Sequence, residues 1–312
     1  MSKLSPNSFK YNENMIFDGK AFAREIEARL AQEVAKMARK PKIVSVLVGD
    51  DPASQLYTKL KKSAAERVGV EFEVVKIDDT KSYLQNLLSQ IRQLSARQDV
   101  TGILVQLPIP GLHGQELQET LRQIPRSKDV DGLRWEESQV MPATVRAILA
   151  ICESMAKNQY PVINNHARSN NDKTVRDFWQ KRFVVLGARG AIGKPLVFFL
   201  KQRGVEVVEI EWDTPDPTRI ILEGEVVISC VGKAGLVTGG MVREGVIAID
   251  VGMSQIEEKA GTLHAESKLK VVGDMTQEVY QKASIAVPVP GGVGPVTIAS
   301  LMANTVETSG KL

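Results

Sequence analysis

Residues 42–69 read KIVSVLVGDDPASQLYTKLKKSAAERVG, and this stretch decides the fold class. Its first seven residues are an apolar, β-branched run stopped by Gly49-Asp50-Asp51-Pro52, the profile of a strand buried on both faces. Residues 54–69 follow at once and read as a helix at about 100° per residue. On that wheel Leu56, Leu60 and Ala64 form an apolar stripe, with Ser54, Tyr57 and Lys61 together along its edge. A hydroxyl, a phenol and an ammonium are thereby presented on one face. The plain alternative is a surface helix whose Tyr and Lys lie over apolar neighbours.

The same alternation continues on both sides. Residues 16–19 read as a short strand and turn, and 21–40 as an amphipathic helix with Phe22, Ile26, Leu30 and Val34 every four residues. A strand is expected over 70–76, a helix over 82–96 and a buried strand over 101–107, halted by Pro108 and Pro110. Strands and helices joined by short connections argue for a parallel α/β sheet covered on both faces.

A helix over 142–155 leads toward a second unit, past a polar excursion at 158–172. Residues 182–187 then give a strand, Gly187 to Gly193 a glycine-rich turn, and 194–202 a helix. Further strands are expected over 205–212, 225–230, 245–251 and 269–272. The segment VPVPGGVGPVT (287–297) precedes a last apolar helix, 298–306, expected to return to the first unit. The fold class is therefore α/β in two domains. An N-terminal α/β catalytic domain is expected over 1–149 plus 286–312, and a Rossmann-like dinucleotide-binding domain over 150–285.

Composition narrows the function. The 312 residues are 43% hydrophobic and 25% charged, and the net charge of +3 comes without a basic stripe, which argues against nucleic acid as a partner. Cys152 and Cys230 lie far apart, and His113, His166 and His264 are scattered, so neither a disulfide framework nor a metal site is expected. The N-terminal stretch is polar and no apolar run approaches the ~18 residues that span a bilayer. A cytoplasmic protein with no membrane partner is the expectation.

In parallel sheets, ligands sit outside the carboxyl ends of the strands. Lys61 on the helix after one strand, Gln106 at the end of another and Asp131 in the loop KDVDG (128–132) all fall there. Taken singly, Gln106 could cap a strand edge and Asp131 could make a turn. In the second unit, the turn lets backbone N–H groups and a helix N-terminus approach a pyrophosphate. Its spacing is G-x-x-G-x-x-G, and a tight turn without ligand is the alternative. Glu209, Glu211 and Asp213 end the next strand, about 20 residues on, where an acid binds ribose hydroxyls and repels a 2′-phosphate. Arg189 could instead accept that phosphate. NAD is favoured over NADP.

Four motifs in register, VGDDPASQLYTKLK (48–61), GILVQLPIP (102–110), KDVDGL (128–133) and PVPGGVGP (288–295), resemble the methylenetetrahydrofolate dehydrogenase/cyclohydrolase family over most of the chain. The resemblance implies oxidation of 5,10-methylenetetrahydrofolate with NAD or NADP, then hydrolysis of the methenyl product to 10-formyltetrahydrofolate, in a homodimer. It makes Lys61 the general acid/base, Gln106 the amide that tunes it, Tyr57 the ring that stacks on the aminobenzoate, and Asp131 the carboxylate that holds the pterin. Ser54, Leu107, Pro290 and Gly291 join the expected folate site. Thr144, Gly187, Ala188, Arg189, Ile192, Gly193, Glu211, Trp212, Cys230, Gly232, Met253 and Thr297 form the expected cofactor site. The chain departs from the family at Gly187-Ala188-Arg189, where Gly-Arg-Ser is usual, at Glu211-Trp212-Asp213, and at Val145 and Ala147, where Pro and Gly are usual. A two-domain amino-acid or shikimate-type dehydrogenase shares the architecture but gives no reason for Tyr57, Lys61, Gln106 and Asp131 to recur together.

Overall fold

The computed structural model describes residues 15–78, 82–138, 140–159, 174–258 and 268–310. Strand β1 (Met15–Ile16) leads into helix α1 (Gly19–Val34), whose Asp18 cap accepts from Lys20 N and Ala21 N. Next come β2 (Lys42–Val48), α2 (Pro52–Val68), β3 (Glu71–Ile77), α3 (Tyr83–Ala96) and β4 (Gly102–Val105). These strands form a parallel sheet in the order β3-β2-β4. Val44, Val46 and Val48 pack with Leu87, Ile91 and Leu94 of α3 on one face. On the other, Ile43 and Leu104 meet α1, α2 and the C-terminal helix. Both faces are covered, as the apolar runs require.

Short helices α4 (Gly114–Leu121) and α5 (Trp135–Ser138) precede α6 (Ala143–Ala156) and α7 (Thr174–Trp179). The second sheet begins with β5 (Phe183–Leu186), α8 (Gly193–Gln202), β6 (Val207–Ile210), α9 (Pro217–Leu222), β7 (Val226–Ser229) and β8 (Ile247–Asp250). After β9 (Ser254–Glu258) and β10 (Lys268–Val272), the chain runs through α10 (Gln277–Lys282) and β11 (Ile285–Val287) into α11 (Val293–Ser309). The six-stranded sheet is parallel, ordered β1-β11-β8-β7-β5-β6. Helix α11 packs on α1, α2 and α6, returning to the first unit as expected.

Three expectations are corrected. Residues 269–272 do not extend the dinucleotide sheet; they lie in β10, which pairs antiparallel with β9 in a separate two-stranded ribbon. Strand propensity alone carries no information about the partner. Sheet pairing also crosses the expected domain limits. β1, from the first unit, hydrogen-bonds to β11, and both complete the second sheet. The third correction concerns α2. Leu56 and Leu60 are 54% and 45% exposed, whereas Ser54, Thr58, Ala64, Ala65 and Val68 are buried. The inward face therefore runs 54-58-61-65-68, with Lys61 in its centre rather than at its edge. Small residues allow this helix to approach closely, and a ranking by hydrophobicity favoured the larger leucines. Most of the polar excursion at 158–172 lies outside the described residues.

Candidate functional site

Helix α2 is fixed at both ends. Asp51 accepts from Ser54 N at 2.7 Å, Pro52 occupies the first turn, and Gly69 closes the helix in the left-handed region at φ 86°. A cap of this kind contributes ~1 kcal/mol. It sets Lys61 two and a half turns along, opposite the end of β4. There Lys61 Nζ donates to Gln106 Oε1 at 2.8 Å. Gln106 Nε2 donates to Leu107 O at 2.8 Å, so the amide faces Lys61 with its oxygen. Burial pushes the Lys61 ammonium below its ordinary value, and the nearby Asp131 carboxylate pulls the other way. Asp131 is itself raised, first by burial, then by Asp129, against the lowering effect of Lys61. Lysine, amide and carboxylate thus form one constellation at the switch point of the first sheet, where β3 and β4 lie on opposite sides of β2.

The flanking residues fit a polar, planar ligand. The Ser54 hydroxyl is buried and has no hydrogen-bond partner among the described residues. Tyr57 is half-buried, and burial raises its phenol. Its hydroxyl donates to Met253 Sδ at 2.6 Å, joining the first crevice to the loop after β8. Gly291, at φ 104°, turns the chain after Pro290 and before α11.

At the second switch point, β6 and β7 flank β5. Gly187 leaves β5 at φ 75°, and a Cβ on Gly193 would stand 2.0 Å from Gly187 O. Only glycine lets α8 start this close to the strand. The Arg189 backbone N–H donates to the Glu211 carboxylate, and the Arg189 guanidinium holds Asp213 at 2.9 and 3.2 Å. Trp212 is 90% exposed beside them. Glu209 points elsewhere, accepting from Lys201 Nζ at 2.6 Å. Ala188 lies in the hydrophobic core with Val145 and Ala147, while Ile192 packs against that core. Thr144 is half-buried near the start of α6. The Thr297 hydroxyl donates to Val293 O within α11. A glycine cradle, an acid directly after β6 and an exposed ring suit a nicotinamide dinucleotide. Among the described residues no group of three or more His, Cys, Asp or Glu is placed to hold a metal.

Sequence reasoning passed over the buried carboxylates behind this turn. Asp274 accepts from Ser229 Oγ, Val231 N, Gly232 N and Lys233 N, which shapes the loop after Cys230. Asp250 accepts from Asp274 N, Met275 N and the Tyr280 hydroxyl. The readable signal was an Asp closing each of two apolar runs, IAID and KVVGD. Burial pushes the Asp250 carboxyl from 3.8 up to about 6. Since the folded value lies above the unfolded one, this group's contribution to stability is present below pH ~4 and lost as pH rises through ~6. Asp250→Asn is expected to remove that dependence. In denaturant unfolding, the wild-type stability relative to the variant should fall between pH 4 and 7; a constant difference would contradict it.

Residues 17–131 match the family model for the tetrahydrofolate dehydrogenase/cyclohydrolase catalytic domain, and residues 171–311 the model for the NAD(P)-binding domain of the same enzymes. The bifunctional protein FolD of Moorella thermoacetica is 37% identical over 298 residues, covering 94% of this chain and 98% of that protein. The crystal structure of the bifunctional FolD from Campylobacter jejuni superposes with a TM-score of 0.78 at 31% identity, covering 95% of this chain and 99% of its own. The Trypanosoma brucei FolD, solved with NADP and an inhibitor, gives 0.78 at 28% identity, covering 95% and 97%. With both family models matched in order, and a relative aligned over 94% of this chain's length, the chain belongs to the tetrahydrofolate dehydrogenase/cyclohydrolase family.

Proposed function

We propose that this protein oxidises 5,10-methylenetetrahydrofolate with a nicotinamide dinucleotide and hydrolyses the methenyl product to 10-formyltetrahydrofolate. The observation that carries this reading is the part-buried Lys61–Gln106 hydrogen bond, with the Asp131 carboxylate acting on the same ammonium. A nicotinamide dinucleotide, when bound, would supply the hydride acceptor for the one-carbon unit, and the chain's part in that step is to position the folate. In the second step water adds to the methenyl carbon and loses a proton. The carbon–N5 bond then breaks as N5 gains a proton and the new hydroxyl gives its own proton up to solvent, leaving the formyl group on N10. Lys61 takes the first proton and returns one to N5. An ordinary lysine, with a pKa near ~10.4, is almost entirely protonated at neutral pH; burial shifts Lys61 toward the free amine. Gln106 holds that amine without adding charge. Tyr57 stacks on the aminobenzoate and Asp131 holds the pterin.

For the cofactor we favour NAD. Glu211 presents a carboxylate at the ribose position, and the arginine that could accept a 2′-phosphate is engaged by Asp213. The folate unit is assigned to residues 1–149 plus 286–312 and the dinucleotide unit to 150–285. A homodimer belongs to the same reading. Exposed Leu56, Leu60 and Val74, the last on an edge strand, are apolar surface for a second copy to cover. The free thiols of Cys152 and Cys230 suit a reducing cytoplasm.

The test is an assay of purified protein with methylenetetrahydrofolate and either NAD or NADP, beside methenyl hydrolysis. Turnover with NAD exceeding that with NADP is expected. Hydrolysis without turnover of either nucleotide would leave a cyclohydrolase-dominant enzyme instead.

A further inference from the structure

Asn304 sits in the apolar run of α11, 3% exposed, where an amide costs stability unless its hydrogen bonds are satisfied. Its Nδ2 donates to Val130 O and to Met141 O, both at 2.9 Å. Its Oδ1 accepts from Arg146 Nη1 at 2.9 Å. Arg146 is held in turn by Glu307. Both amide protons are used, and the reverse orientation would set an oxygen against two carbonyls. The two carbonyls belong to the two ends of one loop. Val130 precedes Asp131 directly, and Met141 leads into α6, whose Ala143 N donates back to Asp131 O at 3.1 Å. Asp129 braces the same loop by accepting from Leu133 N and Arg134 N. Gly132 turns it at φ 71°.

We propose that Asn304 is a positioning residue of the folate site: from the C-terminal helix it clamps both ends of the Asp131 loop and sets that carboxylate against Lys61. The inference rests on the folate reading above. Among the described residues neither β4 nor α6 donates to these two carbonyls, so their donor comes from α11. The clamp explains a buried amide in α11, whose other buried polar side chains, Ser300 and Thr305, are small hydroxyls.

Displacing Asp131 has two consequences. The pterin loses a fixed partner, which weakens folate binding. Lys61 also loses the negative charge that opposes its burial. The charged group that faces Lys61 is Asp131, and those that face Asp131 are Lys61 and Asp129. The apparent pKa of the Lys61-dependent step should therefore move to lower pH. A general loosening of the helix would not shift that limb in a defined direction.

Asn304→Leu removes the clamp at similar volume. Asn304→Ser removes it while leaving room for water on the two carbonyls, and it serves if the leucine variant does not fold. Val306→Ala is the packing control on the same helix: it is buried in the same apolar cluster as Val130 and Ala143, and its side chain makes no hydrogen bond to the loop. For methenyl hydrolysis, the Asn304 variants are expected to raise KM ~10-fold, with kcat changed less than ~3-fold, and to move the pH–rate limb down by ~0.5 or more. Val306→Ala should lower the thermal midpoint while keeping KM and the limb. Unchanged KM and limb in the serine variant, or the same shifts in Val306→Ala, would overturn the proposal. Absence of methenyl hydrolysis in the unmodified protein would overturn the folate reading, and this inference with it.

Discussion

Lys61→Met is expected to leave a folded protein that binds folate but no longer opens the methenyl ring. Methionine keeps the length and apolar stem of the lysine and removes only the amine. Gln106 stays oriented, since its Nε2 is held by Leu107 O independently of Lys61. A positioned proton carrier is worth ~10²–10⁴ in rate, so the cyclohydrolase turnover should fall by at least ~100-fold. Folate affinity, followed by titration of the protein fluorescence, should change only a few-fold. Hydride transfer needs no proton from this chain, so the dehydrogenase step should be reduced less than the hydrolysis. The wild-type pH profile checks the same point. A free amine is required as base, so hydrolysis should rise with pH, and burial places that limb below the ordinary lysine range. Hydrolysis by Lys61→Met within ~3-fold of wild type would assign the proton to another group.

Glu211→Ser should shift the enzyme toward NADP. In the native turn the Glu211 carboxylate binds the Arg189 N–H. A 2′-phosphate brought there meets a like charge, and like-charge juxtaposition at an interface costs several kcal/mol. Serine removes the repulsion and offers a hydroxyl. NADP kcat/KM should rise ~10-fold or more, with a concurrent loss for NAD as the ribose loses its acceptor. Adding Asp213→Ser frees the Arg189 guanidinium, now paired at 2.9 Å, for bidentate contact with phosphate and should extend the gain. Steady-state kinetics with both nucleotides measures this. An unchanged NADP KM in the double variant would show that neither acid discriminates.

Much of the fold and of the candidate site was legible because it rests on short-range pattern. An apolar β-branched run, a Gly-Asp-Asp-Pro stop and a capped helix follow from local backbone preferences. These place Lys61 after one strand and Gln106 after another. The helix face was not legible in the same way. Ser54, Thr58 and Ala65 turn inward because the sheet accepts small residues there, and that surface is assembled from distant parts of the chain. The carboxylates Asp250 and Asp274 were missed for a related reason. Most of their partners are backbone N–H groups of residues 231–233 and 274–275, beside the hydroxyls of Ser229 and Tyr280, and no side-chain pattern reports the backbone bonds.

By itself the sequence determined the family and the parallel α/β class, since strand and helix periods and motif spacings are properties of neighbouring residues. Tertiary structure alone decided the rest. It put Lys61 in the middle of the inward face, tied Arg189 to Asp213, completed the second sheet with β1 and β11, and brought Asn304 to the loop of Asp131. Each of these depends on which surfaces meet across more than twenty residues of chain, a choice made by packing and by the satisfaction of buried polar groups rather than by local propensity.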